Sequence, residues 1–408
     1  MLSLVSNISA TQAVEAKYSA DFDGTDDYID TGQNFSSVFN DSFSISFWAK
    51  PDDGQPASVE YFFGENDNDD DILRGQLETN GDFRLILEGD TDTGSFRTSS
   101  PVFSDGAATS WTHILVSVTK PGSGNSSAVI YINGSSVSHA TSNIAHDNHA
   151  AFSSAQNLVI GARNNKGTIM DFYSGGMDEW ALWNVALDAD AAAAIYNNGS
   201  PLNLKFDQGN YDNSSALQAY YRMGNGSFDD KAKGIVHDQD NPGFGSNLVT
   251  NGHFDVNTSG WSDGSSRYIH SLTWEKDCLY FCSVDLYLVS GKFRMDGADT
   301  AVIGAGTGSD NNIIGIETYD AAIDDRWRTV TGYAIGVATG NTDELWIRSF
   351  GTSSGKSITQ GTFGGRSGVA RFVFNDTGEF YIDNVSVKKI NGKPGLTSGG
   401  VTFSSDNP

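Results

Sequence analysis

The nine residues Phe43-Ser-Ile-Ser-Phe-Trp-Ala-Lys-Pro51 decide the fold class. Phe43, Ile45, Phe47 and Ala49 alternate with Ser42, Ser44, Ser46 and Trp48. Alternation of period two over that length marks a half-buried strand, and the proline closes it because it has no N–H to offer a ladder. The pattern recurs outward from this point: Phe83, Leu85 and Leu87; then Ile114, Val116 and Val118; then Val129, Tyr131 and Val137 around Asn133-Gly134. Asn-Gly between alternating apolar runs is a strong short-range hairpin signal. Residues 158–161 and 177–183 continue the series. One helix is expected, at 188–197, rich in alanine, with Asp188 or Asp190 as its cap, Asn198-Gly199 at its end and Pro201 beyond.

Composition agrees with the pattern. The chain has 408 residues, 38% hydrophobic and 12% aromatic, only 19% charged, with 46 glycines. Aromatics at that level exclude a disordered chain, and glycine outnumbering Lys and Arg together excludes a mainly helical one. Fifty-one acidic residues against 25 basic ones give a net charge of −26, which disfavours nucleic acid and anionic membranes as partners. The acidity suits solubility and attracts divalent cations, or simply decorates turns. Cys278 and Cys282 stand four residues apart on an expected strand, roughly 13 Å, too far for a disulfide that needs Cα atoms within about 7 Å. No run approaches the ~18 apolar residues that would span a membrane. Met1–Ala10 has no basic or sustained apolar segment of a secretory signal.

Along the chain, 1–17 reads as an arm that docks on a neighbour or as a frayed end. Residues 18–228 form a first β-module. Residues 229–246 lose periodicity and gather Gly, Asp, Lys and Pro, as a linker does. A second β-module covers 247–390, with strands at 279–289, 328–337, 345–350, 369–374 and 380–387. The Gly/Ser-rich tail 391–408 reads as flexible. The expected fold is all-β: two unlike antiparallel β-sandwich or jelly-roll domains with one short helix near 188–197.

Six segments of the first module resemble the laminin-G-like, concanavalin A-like lectin/glucanase domain: 22–30 (Phe-Asp-Gly-Thr-Asp-Asp-Tyr-Ile-Asp), 43–51, Trp111-Thr-His113, 129–134, 158–161, and 176–187 with Met177-Asp-Glu-Trp-Ala-Leu-Trp183. Their order and spacing are similar to the family's. Residues 247–390 resemble a carbohydrate-binding-module jelly roll of the galactose-binding-like type. The resemblance rests on Asn247-Leu-Val-Thr-Asn-Gly-His-Phe-Asp255, Gly260-Trp261 and Phe380-Tyr-Ile-Asp-Asn-Val-Ser-Val387. The pairing of the two looks like virion proteins of tailed phages, marine ones in particular.

Catalysis finds no constellation in the sequence. A glucanase needs carboxylates at i, i+2 and i+4 on one strand face, flanking one glycosidic bond. Asp178 and Glu179 are adjacent, which on a regular strand sends them to opposite faces, and a packing role before the helix is the stronger reading. His146 and His149 lack further ligands for zinc. Gly304-Ala-Gly-Thr-Gly308 precedes no strand–helix unit, so nucleotide binding is not expected.

Calcium is the expected cofactor if there is one. The run Glu65–Asp71, with Asp67, Asp69 and Asp71, offers hard oxygens, although it lacks the glycine and bidentate Glu of an EF-hand and equally reads as a solvated turn. In the second module the resemblance implies a structural calcium at Asp255 and Asp383, with carbonyls near Asn251, and His253 departs from the family's acidic or small residue there. For sugars, which stack on aromatic rings, Tyr268, Trp274, Trp346 and Arg348 are the candidates, whereas Trp261 and Trp327 match framework positions.

These features together point to a non-enzymatic phage virion protein: a capsid decoration protein, head fibre or tail-associated adhesin that presents lectin-like domains to glycans or a host surface. Its partners would be other virion proteins and cell-surface or environmental glycans. It would be a homo-oligomer, in this class often a trimer, on the virion surface, made in the host cytoplasm without a signal peptide, and not inserted in a membrane. The alternatives are a secreted bacterial carbohydrate-binding adhesin and a glycan-degrading enzyme.

Overall fold

The computed structural model describes residues 17–408 except 68–70, 90–91, 109, 122–125, 143–153, 242, 265, 276–277, 298–299, 303–311, 317, 337–343, 350–354 and 376. The expected docking arm, the two histidines at 146 and 149 and the glycine run at 304–308 fall outside these residues. The chain is mostly antiparallel β-structure in two compact units, one comprising the residues up to 242 together with Gly392–Pro408, the other Gly243–Asn391.

In the first unit two sheets face each other. One runs in the order Ser135–Val137, Ser127–Ile132, Thr112–Thr119, Phe43–Pro51, Ser174–Trp183, Ser19–Asp23, Thr402–Ser404. The larger one places Asp92–Thr98, Phe83–Gly89, Asp71–Leu77 and Glu60–Asn66 side by side. Phe47 packs on Phe62 and Phe63 across the gap, with ring centroids 5.0 and 5.8 Å apart. The Asn133-Gly134 hairpin forms as read, with φ of 49° and 73°, values that favour these two residue types. The helix is Ala189–Tyr196; Asp188 caps it by accepting the Ala191 N–H at 2.8 Å, and Asn197 ends it in the left-handed conformation.

Three expectations change. Phe43–Pro51 is buried on both faces, not one: Ser44, Ser46 and Trp48 are as buried as Phe43 and Ile45. The cause is a second apolar layer, in which Ala191, Ala192 and Ile195 of the helix and Leu202, Leu204 and Tyr211 cover Leu115, Ala181 and Trp183 on the sheet's other side. Residues 229–246 do not form a simple linker. They contain Ile235–Val236, fully buried and paired with Gly395–Ser398, followed by buried His237, Asp238 and Gln239. The tail is not flexible either. Gly395–Ser398 pairs with Tyr28–Asp30, and Thr402–Ser404 pairs with Ser19–Asp23, so the last residues add a strand to each sheet. Val401 and Phe403 pack on the core there, which outweighs the Gly/Ser composition of the segment. The second unit is therefore an insertion between two parts of the first.

The second unit also has two sheets. One contains Arg328–Gly336, Leu279–Gly291, Gly378–Ile390, Arg366–Phe374 and Lys356–Phe363 in that order. The other runs Trp261–Asp263, Tyr268–Ser271, Glu344–Arg348, Phe293–Gly297, Ile314–Ile316. Cys282, Leu286 and Leu288 meet Phe293, Met295, Leu345 and Ile347 in the core. Both cysteines are free thiols. No described helix is long and apolar enough to cross a membrane.

Candidate functional site

The five-stranded sheet of the second unit has one face turned to its core and one turned away. On Glu344–Arg348 the buried residues are Leu345 and Ile347, so Glu344, Trp346 and Arg348 share the outer face. Pairing registers set Ile269 and Asp296 on either side of Trp346, and Arg294 beside Arg348. Trp346 is half-buried. The Arg267 guanidinium lies over its ring at 3.7 Å, and its indole N–H donates to Glu344 Oε2 at 2.7 Å. Arg348 Nε donates to Asp296, a carboxylate only 3% exposed. Asn312 completes the row: its amide nitrogen donates to Asp296 Oδ1 at 2.6 Å and its oxygen accepts from Arg294 Nε at 3.2 Å.

The result is an indole with a planar cation on one side and a fixed row of hydrogen-bonding groups on the other. A sugar asks for this pairing, because its C–H face needs a flat apolar surface and its hydroxyls need donors and acceptors held in place. Pairing with Asp296 and Asn312 also pre-orients the arginines, so little side-chain entropy remains to be lost on binding.

Of the four expected sugar residues, the structure brings Trp346 and Arg348 together. It withdraws the other two. Tyr268 is 4% exposed and packs edge-on against Phe372 at 5.2 Å. Trp274 is 2% exposed, stands edge-on to Tyr280 at 4.9 Å and donates to the Glu344 carbonyl at 3.1 Å. Both belong to the core: Tyr268 faces inward with His270, and Trp274 follows the same strand. Arg267, Arg294, Asp296 and Asn312 went unread. Phe293-Arg-Met-Asp-Gly297 did carry the signal, since Phe293 and Met295 alternate with Arg294 and Asp296.

The expected calcium ligands are dispersed among other tasks. Asp67 accepts from the Ala155 N–H (3.0 Å) and Gln156 Nε2 (3.2 Å) and so pins a loop; Asp69 and the side chain of Asp71 lie outside the described residues. Asn251 donates its amide to the carbonyls of Asn257 and Ser259, both at 2.9 Å. Asp255 is exposed beside Gly368. Asp383 accepts the Asn384 N–H at 2.8 Å and has Arg366 at 3.7 Å, a guanidinium that supplies the counter-charge expected of calcium. This donor set does not fit a calcium site tying Asp255 to Asp383.

Asp178 and Glu179 differ from the sequence expectation in an instructive way. A bulge between Asp178 and Ala181, with Glu179 at φ 50°, breaks the alternation that would separate them, and both are buried. Glu179 accepts from the Tyr220 hydroxyl and from Arg222 Nε at 3.2 Å. Burial raises the pKa of Asp178 well above the usual carboxylate range, and the Glu179 charge adds to it; burial also raises Glu179, against the pull of Arg222. Perturbed acids are what catalysis uses. Here, however, both are under 4% exposed, and Glu179 is held by Tyr220 of the helix-covered layer.

Residues 23–193 match the model of the concanavalin A-like lectin/glucanases superfamily. No curated protein matches the chain. Similar solved structures include a candidate carbohydrate-binding protein from Bacteroides ovatus, 18% identical over 55% of each chain with a TM-score of 0.37. Another is the carbohydrate-binding module CBM40 of a Ruminococcus gnavus sialidase, 12% identical, over 44% of this chain and 97% of that one, TM-score 0.34. A tailspike protein from a bacteriophage of Escherichia coli O157:H7 is 15% identical, over 53% of this chain and 31% of that one, TM-score 0.32.

Proposed function

We propose that this chain is a non-enzymatic glycan-binding protein whose sugar contact is the outer face of the five-stranded sheet, at Trp346, Arg267 and Arg348, with the buried Asp296 and Arg294 and their partner Asn312 supporting it from behind. The observation that carries the reading is the half-exposed indole under the Arg267 guanidinium, beside an Arg348 already fixed by the buried Asp296. The lectin-type first unit agrees with it. The absence of turnover belongs to the same proposal: the raised carboxylates, Asp178 and Glu179, are sealed, and Glu179 is committed to Arg222 and Tyr220.

The setting we propose is the surface of a phage virion, as a decoration protein, fibre or tail-associated adhesin, following the resemblance stated for the sequence. Mass spectrometry of purified particles tests that setting, and absence from intact particles contradicts it. Binding is tested by presenting the full chain to a glycan array. Retained glycans whose signal falls at least tenfold in Trp346→Ala support the reading. An array without a binder, or reducing ends released from the bound glycans, overturns it.

A further inference from the structure

The larger sheet of the first unit carries a separate arrangement on its outer face. Leu73, Leu77, Phe83, Leu85 and Phe96 fill the core, which leaves Arg74, Gln76, Arg84, Ser95 and Arg97 on the opposite side. Registers align Tyr61 with Gln76, Gln76 with Arg84, and Arg84 with Arg97; in the next row Gly64 stands opposite Arg74. A Cβ at Gly64 would lie 3.1 Å from Arg163 Cβ and 3.3 Å from Arg74 Cγ, so the glycine lets two arginine stems close in side by side. Four of the 25 Lys and Arg residues of a chain with net charge −26 thus gather on one face.

Three of the four are neutralised where they stand. Arg84 lies 3.4 Å from Glu78, Arg97 2.7 Å from Asp82, and Arg163 2.5 Å from Asp171 while also covering the Tyr61 ring at 5.1 Å. Arg74 is the exception. It is half-exposed, has no ion pair or hydrogen bond among the described residues, and its Nε is buried without an acceptor. Two positions along the strand, Gln76 is 4% exposed; its amide nitrogen donates to Glu78 Oε1 at 2.9 Å, which leaves its oxygen buried without a donor. Leaving such atoms unmet costs stability, and a ligand that meets them recovers it.

We propose that this face binds an acidic saccharide, with the carboxylate of a uronic-acid residue on Arg74 and a ring hydroxyl donating to Gln76 Oε1. The guanidinium fork matches a carboxylate in two parallel hydrogen bonds. A single unpaired cation among paired ones suits one carboxylate per sugar; a phosphate backbone would need several free cations. The paired guanidinium planes provide flat surface for the ring.

Calorimetric titration of the full chain with a galacturonic acid tetramer, neutral galactotetraose and polyaspartate tests this. The uronate tetramer is expected to bind, with at least a tenfold loss in Arg74→Gln, a smaller loss in Arg74→Lys, which keeps the charge without the fork, and an unchanged melting temperature in both. Trp346→Ala is expected to leave this binding intact, which separates the site from the one on the second unit. No binding of the tetramer, equal binding by Arg74→Gln, loss in Trp346→Ala, or polyaspartate binding as tightly as the uronate would each overturn the proposal.

Discussion

Glu179, Arg222 and Tyr220 in the first unit and Asp296, Arg348 and Trp346 in the second are built from the same three ingredients: an acid, an arginine and an aromatic ring. In the first trio Glu179 is 3% exposed and Tyr220 fully buried, under a helix and the apolar layer around Leu202 and Tyr211. In the second, the acid is equally buried, but the arginine and the indole reach the surface of the sheet. The difference is one of cover, not of chemistry. An ion pair sealed in a core serves the fold, whereas the same pair with one partner exposed holds that partner ready for a ligand. Strongly shifted carboxylates mark the first cluster, whereas the second leaves its arginine and indole open to solvent.

The comparison can be broken most severely at the C-terminus. A chain ending at Asn391 loses the strands Gly395–Ser398 and Thr402–Ser404 and the Lys393 carbonyl that accepts from Tyr221 at 2.6 Å. Circular dichroism and limited proteolysis of that chain should show the first unit unfolded and the region 243–391 still folded, because the latter contains none of these strands. A protease-resistant first unit would contradict the fold described here.

Next in size is Glu179→Ala. It leaves the Arg222 charge and the Tyr220 hydroxyl buried without their acid, a loss of about 3–5 kcal/mol, measurable as a drop in the first unit's denaturation midpoint. Trp346→Ala, on a half-exposed ring, should cost no more than about 1 kcal/mol. Equal losses would erase the distinction between the two clusters.

A smaller effect concerns Asp238, which is 1% exposed and accepts the N–H groups of Tyr220, Asp240 and Lys393. Burial raises its pKa to about 6. The folded form therefore holds the proton more tightly than the unfolded chain, and this group's contribution to stability falls as pH rises from about 4 to about 6. His237, held down to about 4 by burial, has the opposite slope across that whole range. The difference between the native chain and Asp238→Asn isolates the aspartate: the native chain should lose up to about 3 kcal/mol more across that interval. A pH-independent difference would contradict the buried charge.

Much of this was legible in the sequence, and the failures have physical causes. Alternation and the Asn-Gly turn gave the strands and the hairpin at 133–134, and the alanine run behind Asp188 and Asp190 announced the helix. Local patterns could not show that Thr402–Ser404 reaches back to Ser19–Asp23, since pairing across nearly the whole chain leaves no local trace. The bulge at Glu179 defeated a face assignment based on strict alternation. In the candidate site, residue type singled out Trp346, Arg348, Tyr268 and Trp274 alike, and the fold leaves the first two half-exposed and buries the other two. Only the inward or outward phase of each strand separates a ring that stacks on a ligand from one that fills the core.

The most direct test of the central claim is a titration of Trp346→Ala, beside the native chain, with a neutral glycan retained on the array. The account predicts at least a tenfold weaker affinity with the melting temperature of the second unit lowered by only a few degrees. Native affinity in that variant would show that the outer face of the five-stranded sheet is not where the sugar binds.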